Sequence, residues 1–406
     1  MTCFVASSLL SALTASLLLL APPPVPPSER PPVHGVAPSG ERSPKPLADP
    51  ARPPAEGLEL VMQLDQTPGN VAVTPQGRLF VSLHPFGDPA VRVVELKPTV
   101  RAEPYPSPAW AGAVGANGVG IQSIIGIRSD PKGILWMLDA GKAEGPDATP
   151  PKLVAWDTKT DRLVRVIHLP PPATKPSSFL QDFAIDSARE AIIIADAGIG
   201  AGFEHPTPAF VVVYLRTGAS RRVLDGAASL QAEPDAAMVI DGREVRTKLP
   251  DGTTMAPRVG LDPITIDAAN EWVYYGPMHG TSVYRVKAED LENPGLSDEL
   301  LGERIEKYGP KPVSDGMSID AAGNLYLTDV TAHAIGVLKT DRTYERLLTD
   351  ERLQWPDGIS GGPDGNFYVV VNQLHRHAML NEGVDATKPP FVVYRFRGLA
   401  PAVLGR

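Results

Sequence analysis

Cysteine is almost missing from this chain: one in 406 residues, Cys3. Past that position there is no thiol to form a disulfide, act as a nucleophile or hold zinc through sulfur. Basic charge is also in deficit, with 38 Lys and Arg against 47 Asp and Glu and a formal net charge of −9. A nucleic-acid binder needs a basic face, so no nucleic-acid partner is expected. The HExxH and Walker-type signatures are missing as well, and with them the motifs of zincins and P-loop NTPases. The glycine-rich run 111–120, AGAVGANGVG, follows no strand and precedes no helix pattern, and it reads as a flexible loop.

Aromatics are sparse at 6%, yet hydrophobic residues make up 43% of the chain, enough for a sizeable core. The 44 prolines crowd toward the N-terminus. The apolar run Val5–Ala21 is shorter than a confident membrane span and resembles the core of a secretory leader, although no Lys or Arg precedes it. Cleaved, it predicts a secreted or periplasmic protein; retained, it would be a membrane anchor. Cys3 precedes the run, so there is no lipobox. Residues 22–56, with Pro22-Pro23-Pro24, Pro26-Pro27, Pro31-Pro32 and Pro53-Pro54, lack the apolar surface that would repay ordering and read as an extended tether. The expected division is therefore a leader over 1–21, a tether over 22–56 and a folded domain over 57–400.

What the folded part has in quantity is repetition. In the stretch Val313–Leu338, Asp315-Gly316 opens a short buried strand, and the turn Asp320–Gly323 reverses the chain. Asn324–Thr328 and Ala334–Leu338 then read as two further strands. An anchor followed eight positions later by a turn residue recurs at Gly69/Gly77, Ile125/Gly133, Gln181/Arg189, Asp262/Asn270, Asp315/Gly323 and Asp357/Gly365. An apolar strand follows each. The anchors stand 56, 56, 81, 53 and 42 residues apart, which is blade-length spacing and predicts an all-β, six-bladed β-propeller. Leu58–Leu64 and Phe391–Arg397 are strand-like at opposite ends, and pairing them would close the ring. The insertion at about Ala227–Pro257 is expected to form a surface excursion rather than a blade.

In a propeller the anchors and the ends of the second strands meet at one mouth of the central channel. The anchors offer Asn70, Gln181 or Asp182, Asp262, Asp315 and Asp357; the strand ends add His84, Asp139, Asp196, Asp329 and Asn372. His279, His333 and His375 fall in adjoining loops, and the pair His375/His377 reads as solvated. Carboxylates gathered this way repel one another unless a cation intervenes. Calcium would suit such oxygens, and so would a protonated amine with an aromatic neighbour such as Tyr275 or Phe86. Each Asp taken alone could equally cap a turn through its side chain.

The segments GIRSDPKGILWMLDAG, SLQAEPDAAMVIDGREV, GLDPITIDAANEWVYYGPMHGTSVYRV, SDGMSIDAAGNLYLTDVTAHAIGVL and WPDGISGGPDGNFYVVVNQLHR resemble, in this order, the major royal jelly protein/yellow family in its bacterial branch. The resemblance runs from about Leu58 to Arg397. It implies a secreted six-bladed propeller whose channel binds small biogenic amines in some relatives, with others linked to dopachrome tautomerisation. Asp357 and Asn372 match the amine-contacting part of that channel. The cysteines common in animal members are missing, so their disulfide bracing does not carry over. A more distant likeness is to calcium-dependent gluconolactonases. There the Asp of a PDG turn binds metal and serves catalysis; Asp315 or Asp357 would fill that role. Asp262 stands where that family has an Asn ligand, and Gly69-Asn70 replaces its first-blade acid.

The resulting expectation is a monomeric, exported propeller. It would bind a small amine, catechol or lactone through Asn70, His84, Gln181, Asp262, Asp315, Asp329, His333, Asp357 and Asn372. Asp315 and Asp357 are the candidate catalytic carboxylates, and Asp262 with Asp315 the candidate calcium ligands. Three functions stay open: tautomerisation of a catechol-derived quinone, calcium-assisted lactone hydrolysis, and binding without turnover.

Overall fold

The structure is a computed structural model and describes residues 57–406 apart from 100, 146, 147 and 201. The expected leader and tether lie outside the described residues. Six four-stranded antiparallel sheets account for the fold. Their inner strands are Pro68–Val73, Ile124–Ser129, Leu180–Asp186, Leu261–Ile266, Ser314–Ile319 and Pro356–Gly361, here blades 1 to 6. Each inner strand lies against the next, and the sixth lies against the first. The ring is closed as expected: Leu58–Leu64 pairs antiparallel with Phe391–Phe396, from Leu58 opposite Phe396 to Leu64 opposite Phe391. The last blade is thus built from both ends of the folded region, and no inner edge is left open.

Apolar residues follow this geometry. Every residue of the six inner strands is buried, whereas outer strands such as Arg162–His168 are largely exposed. Six hydrophobic clusters fill the six gaps between neighbouring blades. Between blades 3 and 4, for example, Phe210 stacks edge-on to Tyr275 at 5.0 Å. A seventh cluster lies over the channel mouth and joins Met238, Ile240, Val245 and Val259 to Trp355, Leu374 and Leu380. The insertion is therefore more than a surface excursion. It forms two hairpins, Val239–Ile240 with Arg243–Glu244 and Thr247–Lys248 with Thr254–Met255, and Ile240 of the first, with Met238 and Val245 beside it, packs onto that face.

The turns between first and second strands need a left-handed residue. Gly77, Gly133, Asn270, Gly323 and Gly365 supply it, with φ from 56° to 89°. In blade 3 the ladder runs one pair further, to Asp186 opposite Ala191, and Glu190 takes the strain at φ 54° instead of Arg189. Residues beyond the expected boundary at 400 also belong to the domain. Ala402 bridges to Asp320 and Leu404 to Gly361. The Arg406 guanidinium donates to Ile185 O at 2.7 Å and Asn270 Oδ1 at 2.6 Å, so this segment ties blades 3 to 6 together at the end of the channel opposite the anchors. Among the described residues no helix is long and apolar enough to cross a membrane.

Candidate active site at the channel mouth

The six anchors share a structural device. In blade 5, Ser314 faces Asp329 and Met317 faces Leu327, so three steps on the inner strand oppose two on its neighbour. Equivalent shifts separate Pro68 from Val71, Ile124 from Ile127, Leu180 from Phe183, Leu261 from Ile264 and Pro356 from Ile359. A bulge of this kind bends the strand and re-aims the residues it carries. Those residues are Gly69-Asn70, Ile125-Gly126, Gln181-Asp182, Asp262-Pro263, Asp315-Gly316 and Asp357-Gly358. Three glycines let adjacent bulges close up. A Cβ on Gly126 would lie 2.6 Å from Gln181 O, and one on Gly316 or Gly358 would collide with Asp357 O or Asn70 Oδ1.

The bulges converge on a pocket with an empty volume of about 670 Å³, the space at its opening included. Asn70, Gln181, Asp182, Asp262, Asp315 and Asp357 lie at its polar end; Phe86, Phe179, Phe203, Met238, Val259 and Trp355 are among the side chains that make it apolar. Each Asp is held. Trp355 Nε1 donates to Asp315 Oδ2 at 2.6 Å, Asn372 Nδ2 to Asp357 Oδ2 at 2.6 Å, and Gln181 Nε2 to Asp262 Oδ2 at 3.2 Å. Arg128, itself buried, pairs with Asp182.

Burial, and then the neighbouring carboxylates, push Asp262 and Asp357 well above the ordinary carboxyl range. Burial lifts Asp315 to about 6 against the pull of Trp355 and Asp262. The hydrogen bond between Asp262 and Asp315 adds to the rise of the first and holds the second down. His84 and His279 also line the pocket. Burial first, then His377 for His84 and Arg258 with Lys311 for His279, lowers both to about 3, so both rings are neutral.

The sequence profile of the Major royal jelly protein family matches residues 122–395. The chain belongs to that family. Among curated proteins no sequence matches. Two solved structures resemble this royal-jelly-family propeller in fold. One is a gluconolactonase from Xanthomonas campestris, at 10% identity over 85% of this chain and 89% of that one, with a TM-score of 0.52. The other is a luciferin-regenerating enzyme, at 13% identity over 84% and 95%, also with a TM-score of 0.52.

Of the residues expected to bind ligand in this royal-jelly-family chain, Asn70, His84, Gln181, Asp262, Asp315 and Asp357 line the pocket, and Asn372 reaches it through Asp357. Asp329 and His333 do not line it. Asp329 accepts from Thr331 Oγ1 at 3.0 Å and Arg346 Nε at 2.8 Å, and His333 Nε2 meets Asp241 Oδ1 of the insertion at 2.8 Å. Asp139 and Asp196 behave like Asp329: they accept backbone N–H groups of the loops they adjoin and face Lys152 and Arg222. These three carboxylates are turn caps with a cation behind them. Tyr275 lies between blades, its hydroxyl on Ser229 at 3.0 Å, while Phe86 does reach the pocket. The His375 ring is stacked on Trp355 at 6.1 Å with both nitrogens buried, and His377 stacks on Phe86 at 5.5 Å; the expected solvated pair is packed against the pocket's aromatic wall.

Sequence reasoning missed Trp355, Met238, Val259, Phe179 and Phe203. Trp355 could have been found, because it immediately precedes the Pro-Asp-Gly of blade 6. Calcium fits this donor set only in part. Asp262 and Asp315 lie together, but among the described residues no group of three or more His, Cys, Asp or Glu is arranged to hold a metal ion.

Proposed function

We propose that this protein binds a small protonated amine with an apolar or aromatic body in the channel mouth. The observation that carries the reading is the stacking of two environments: four buried carboxylates at the bulges, and an apolar sleeve above them. Burial and mutual repulsion raise carboxyl pKa values, and a cation seated among them relieves both. An ammonium donates hydrogen bonds, up to three of them, to such carboxylate oxygens, while Phe86, Phe179, Phe203 and Trp355 offer aromatic contact to the cation or its body. A hydrated metal ion gains nothing from such a sleeve. The leader reading adds that this binding takes place in a secreted or periplasmic protein.

The test is calorimetry with phenethylamine against phenylethanol, its neutral counterpart, at about pH 8. The amine should bind and the alcohol should not, and Asp357→Asn should weaken the amine roughly ten- to a hundredfold. Equal binding of both compounds would defeat the reading.

One observation favours a second reading, proton transfer of the tautomerase type. Asp262 and Asp315 lie together with both carboxyl groups raised by burial, and Asp315 sits at about 6, where a carboxyl group can both give and take a proton near neutrality. Dopachrome turnover lost in Asp315→Asn would support it. Turnover unchanged by that substitution would remove it.

A further inference from the structure

Beside the channel mouth, the first hairpin of the insertion and the loop after Phe367–Val371, the second strand of blade 6, line a separate cleft. Its empty volume is about 900 Å³, the space at its opening included. Four cations line it, Arg243, Arg246, Arg376 and Lys388, together with the acids Asp241, Glu244 and Glu382. The acids are already engaged. Asp241 meets His333 at 2.8 Å, Glu244 meets Arg246 at 2.7 Å, and Glu382 lies 3.8 Å from the same guanidinium. Among the described residues, Arg243, Arg376 and Lys388 have no carboxylate within ion-pair distance.

The missing partner matters most at Arg376, which is half-buried and held in place. Its Nη2 donates to Gln354 Oε1 at 2.8 Å and its Nη1 to Gln373 Oε1 at 3.4 Å. Each amide is fixed by its other end: Gln354 Nε2 donates to Glu351 O at 2.7 Å, and Gln373 Nε2 to Lys388 O at 2.8 Å. Gln373 Oε1 also accepts from Lys388 N at 3.1 Å, so one amide sets both the guanidinium and the backbone that carries the Lys388 ammonium. A guanidinium has five N–H groups in a planar fork, and neutral amides take two of them here. Acceptors without charge orient the fork and leave its positive charge uncompensated, ready for an oxyanion. The structural arginines are treated otherwise: Arg128, Arg222 and Arg346 each sit on an aspartate.

We infer that this cleft binds a small oxyanion, phosphate or a phosphate monoester, held between Arg243 on the insertion and Arg376 with Lys388 on blade 6. Soluble esters and a lipid headgroup share that chemistry. The consequence reaches the channel. Ile240, Val245 and Leu380 line the cleft and belong to the apolar cluster over the mouth, and Leu380 lines both cavities. An anion that joins the hairpin to the blade 6 loop therefore fastens the insertion across the mouth. It adds to the backbone bond from Glu382 N to Arg246 O at 3.0 Å along the same seam. The site goes beyond the amine reading and does not depend on it.

Calorimetry on the full chain at about pH 8, with inorganic phosphate against chloride at the same ionic strength, separates binding from screening. Phosphate should bind and chloride should not. Arg376→Gln should weaken phosphate roughly tenfold, and Arg376→Lys, which keeps the charge without the fork, should lose less. Arg243→Gln and Lys388→Gln, at exposed positions, should each weaken it as well and carry the test if Arg376→Gln does not fold. Amide hydrogen exchange over residues 239–246 should slow when phosphate is added to the wild-type protein and stay unchanged in Arg376→Gln. Glycerol 3-phosphate that matches inorganic phosphate points to a soluble ester, and a preference for phosphatidic acid vesicles points to a headgroup; either result upholds the site. Phosphate that binds no better than chloride, an affinity untouched by all three Gln substitutions, or exchange that does not slow with phosphate bound would overturn the inference. None of these results bears on amine binding in the channel.

Discussion

Replacing Asp315 by Asn should make the protein more stable while it destroys the proposed binding site. Burial lifts the Asp315 carboxyl from 3.8 to about 6. A group whose folded pKa is raised stabilises the fold below its unfolded pKa, and that contribution is lost as pH rises through the folded value. At pH 8 the wild-type protein thus carries the whole penalty, which the displacement puts at ~3 kcal/mol. Asn does not titrate, its Oδ1 can still accept from Trp355 Nε1, and Asp262 loses a repelling neighbour. For the folded unit of about 350 residues, an unfolding entropy of about 2.1 cal/mol/K per residue makes this a rise in Tm of roughly 4 °C. Scanning calorimetry at pH 8 and pH 3 is the assay. The rise should appear at pH 8 and nearly vanish near pH 3, below the unfolded value of 3.8, where wild-type Asp315 is mostly protonated in both states. Saturating phenethylamine should raise the Tm of the wild-type protein and leave Asp315→Asn nearly unmoved. A variant less stable than wild type at pH 8 would refute the argument, since it would mean that the ionised carboxylate is a net stabilising group.

Trp355→Phe removes the donor that favours ionised Asp315, so the pKa near 6 should climb by about one unit. The lower pH limit of amine binding should climb with it, read by calorimetry from pH 5 to 9; an unmoved limit counts against the indole's role. Gly316→Ala forces a Cβ into Asp357 O and should cost about 1–3 kcal/mol in urea unfolding while weakening amine binding. Unchanged stability would show that the bulges are not tightly nested. Arg128→Met strands the buried Asp182 without its cation and should cost about 3–5 kcal/mol. Adding Asp182→Asn should recover most of that loss, and a double variant as unstable as the single one would mean that packing, not charge, is responsible.

The blade repeat was legible because it is local. Asp315 and Gly323 lie in one strand–turn unit, and the demand for a left-handed residue at the turn leaves a mark that recurs in five of the six blades at the same offset. Ring closure was legible for the same kind of reason, since Leu58–Leu64 and Phe391–Phe396 each look like a strand with no neighbour in sequence. The bulges were not, because register is a relation between two strands and appears only once Ser314 is set against Asp329 and Met317 against Leu327. That is why Gln181 and Asp182 read as alternatives although both ride on one bulge. The insertion was misjudged because its apolar residues, Met238, Ile240 and Val245, are spaced through a polar segment and cohere only against Trp355, Leu374 and Leu380. Asp329 illustrates the remaining limit: as an Asp at a strand end it looks like Asp357, and only its partners Thr331 and Arg346 separate a turn cap from a site residue.

The distribution of charge round the ring constrains how an amine would sit. Blades 3 to 6 each present an Asp at the bulge, whereas blade 1 presents Gly69-Asn70 and blade 2 Ile125-Gly126. The acidic arc therefore covers two thirds of the circle, and the remaining third is neutral, with Ile125 and the blade 1 loop residue Phe86 beside it. Coulomb attraction in a buried site is stronger than in water, so an ammonium group is drawn toward the arc, and the apolar body of the same molecule gains most by leaning on Ile125 and Phe86. Reversing the molecule would bury the cation against a blade that carries no charge and set hydrocarbon against ionised carboxylates, and both changes are unfavourable. An Asp in place of Asn70 would extend the arc to blade 1, deepen the repulsion among the carboxylates and narrow the neutral gap to blade 2. The neutral bulges of blades 1 and 2 are thus what give an otherwise six-fold mouth a direction.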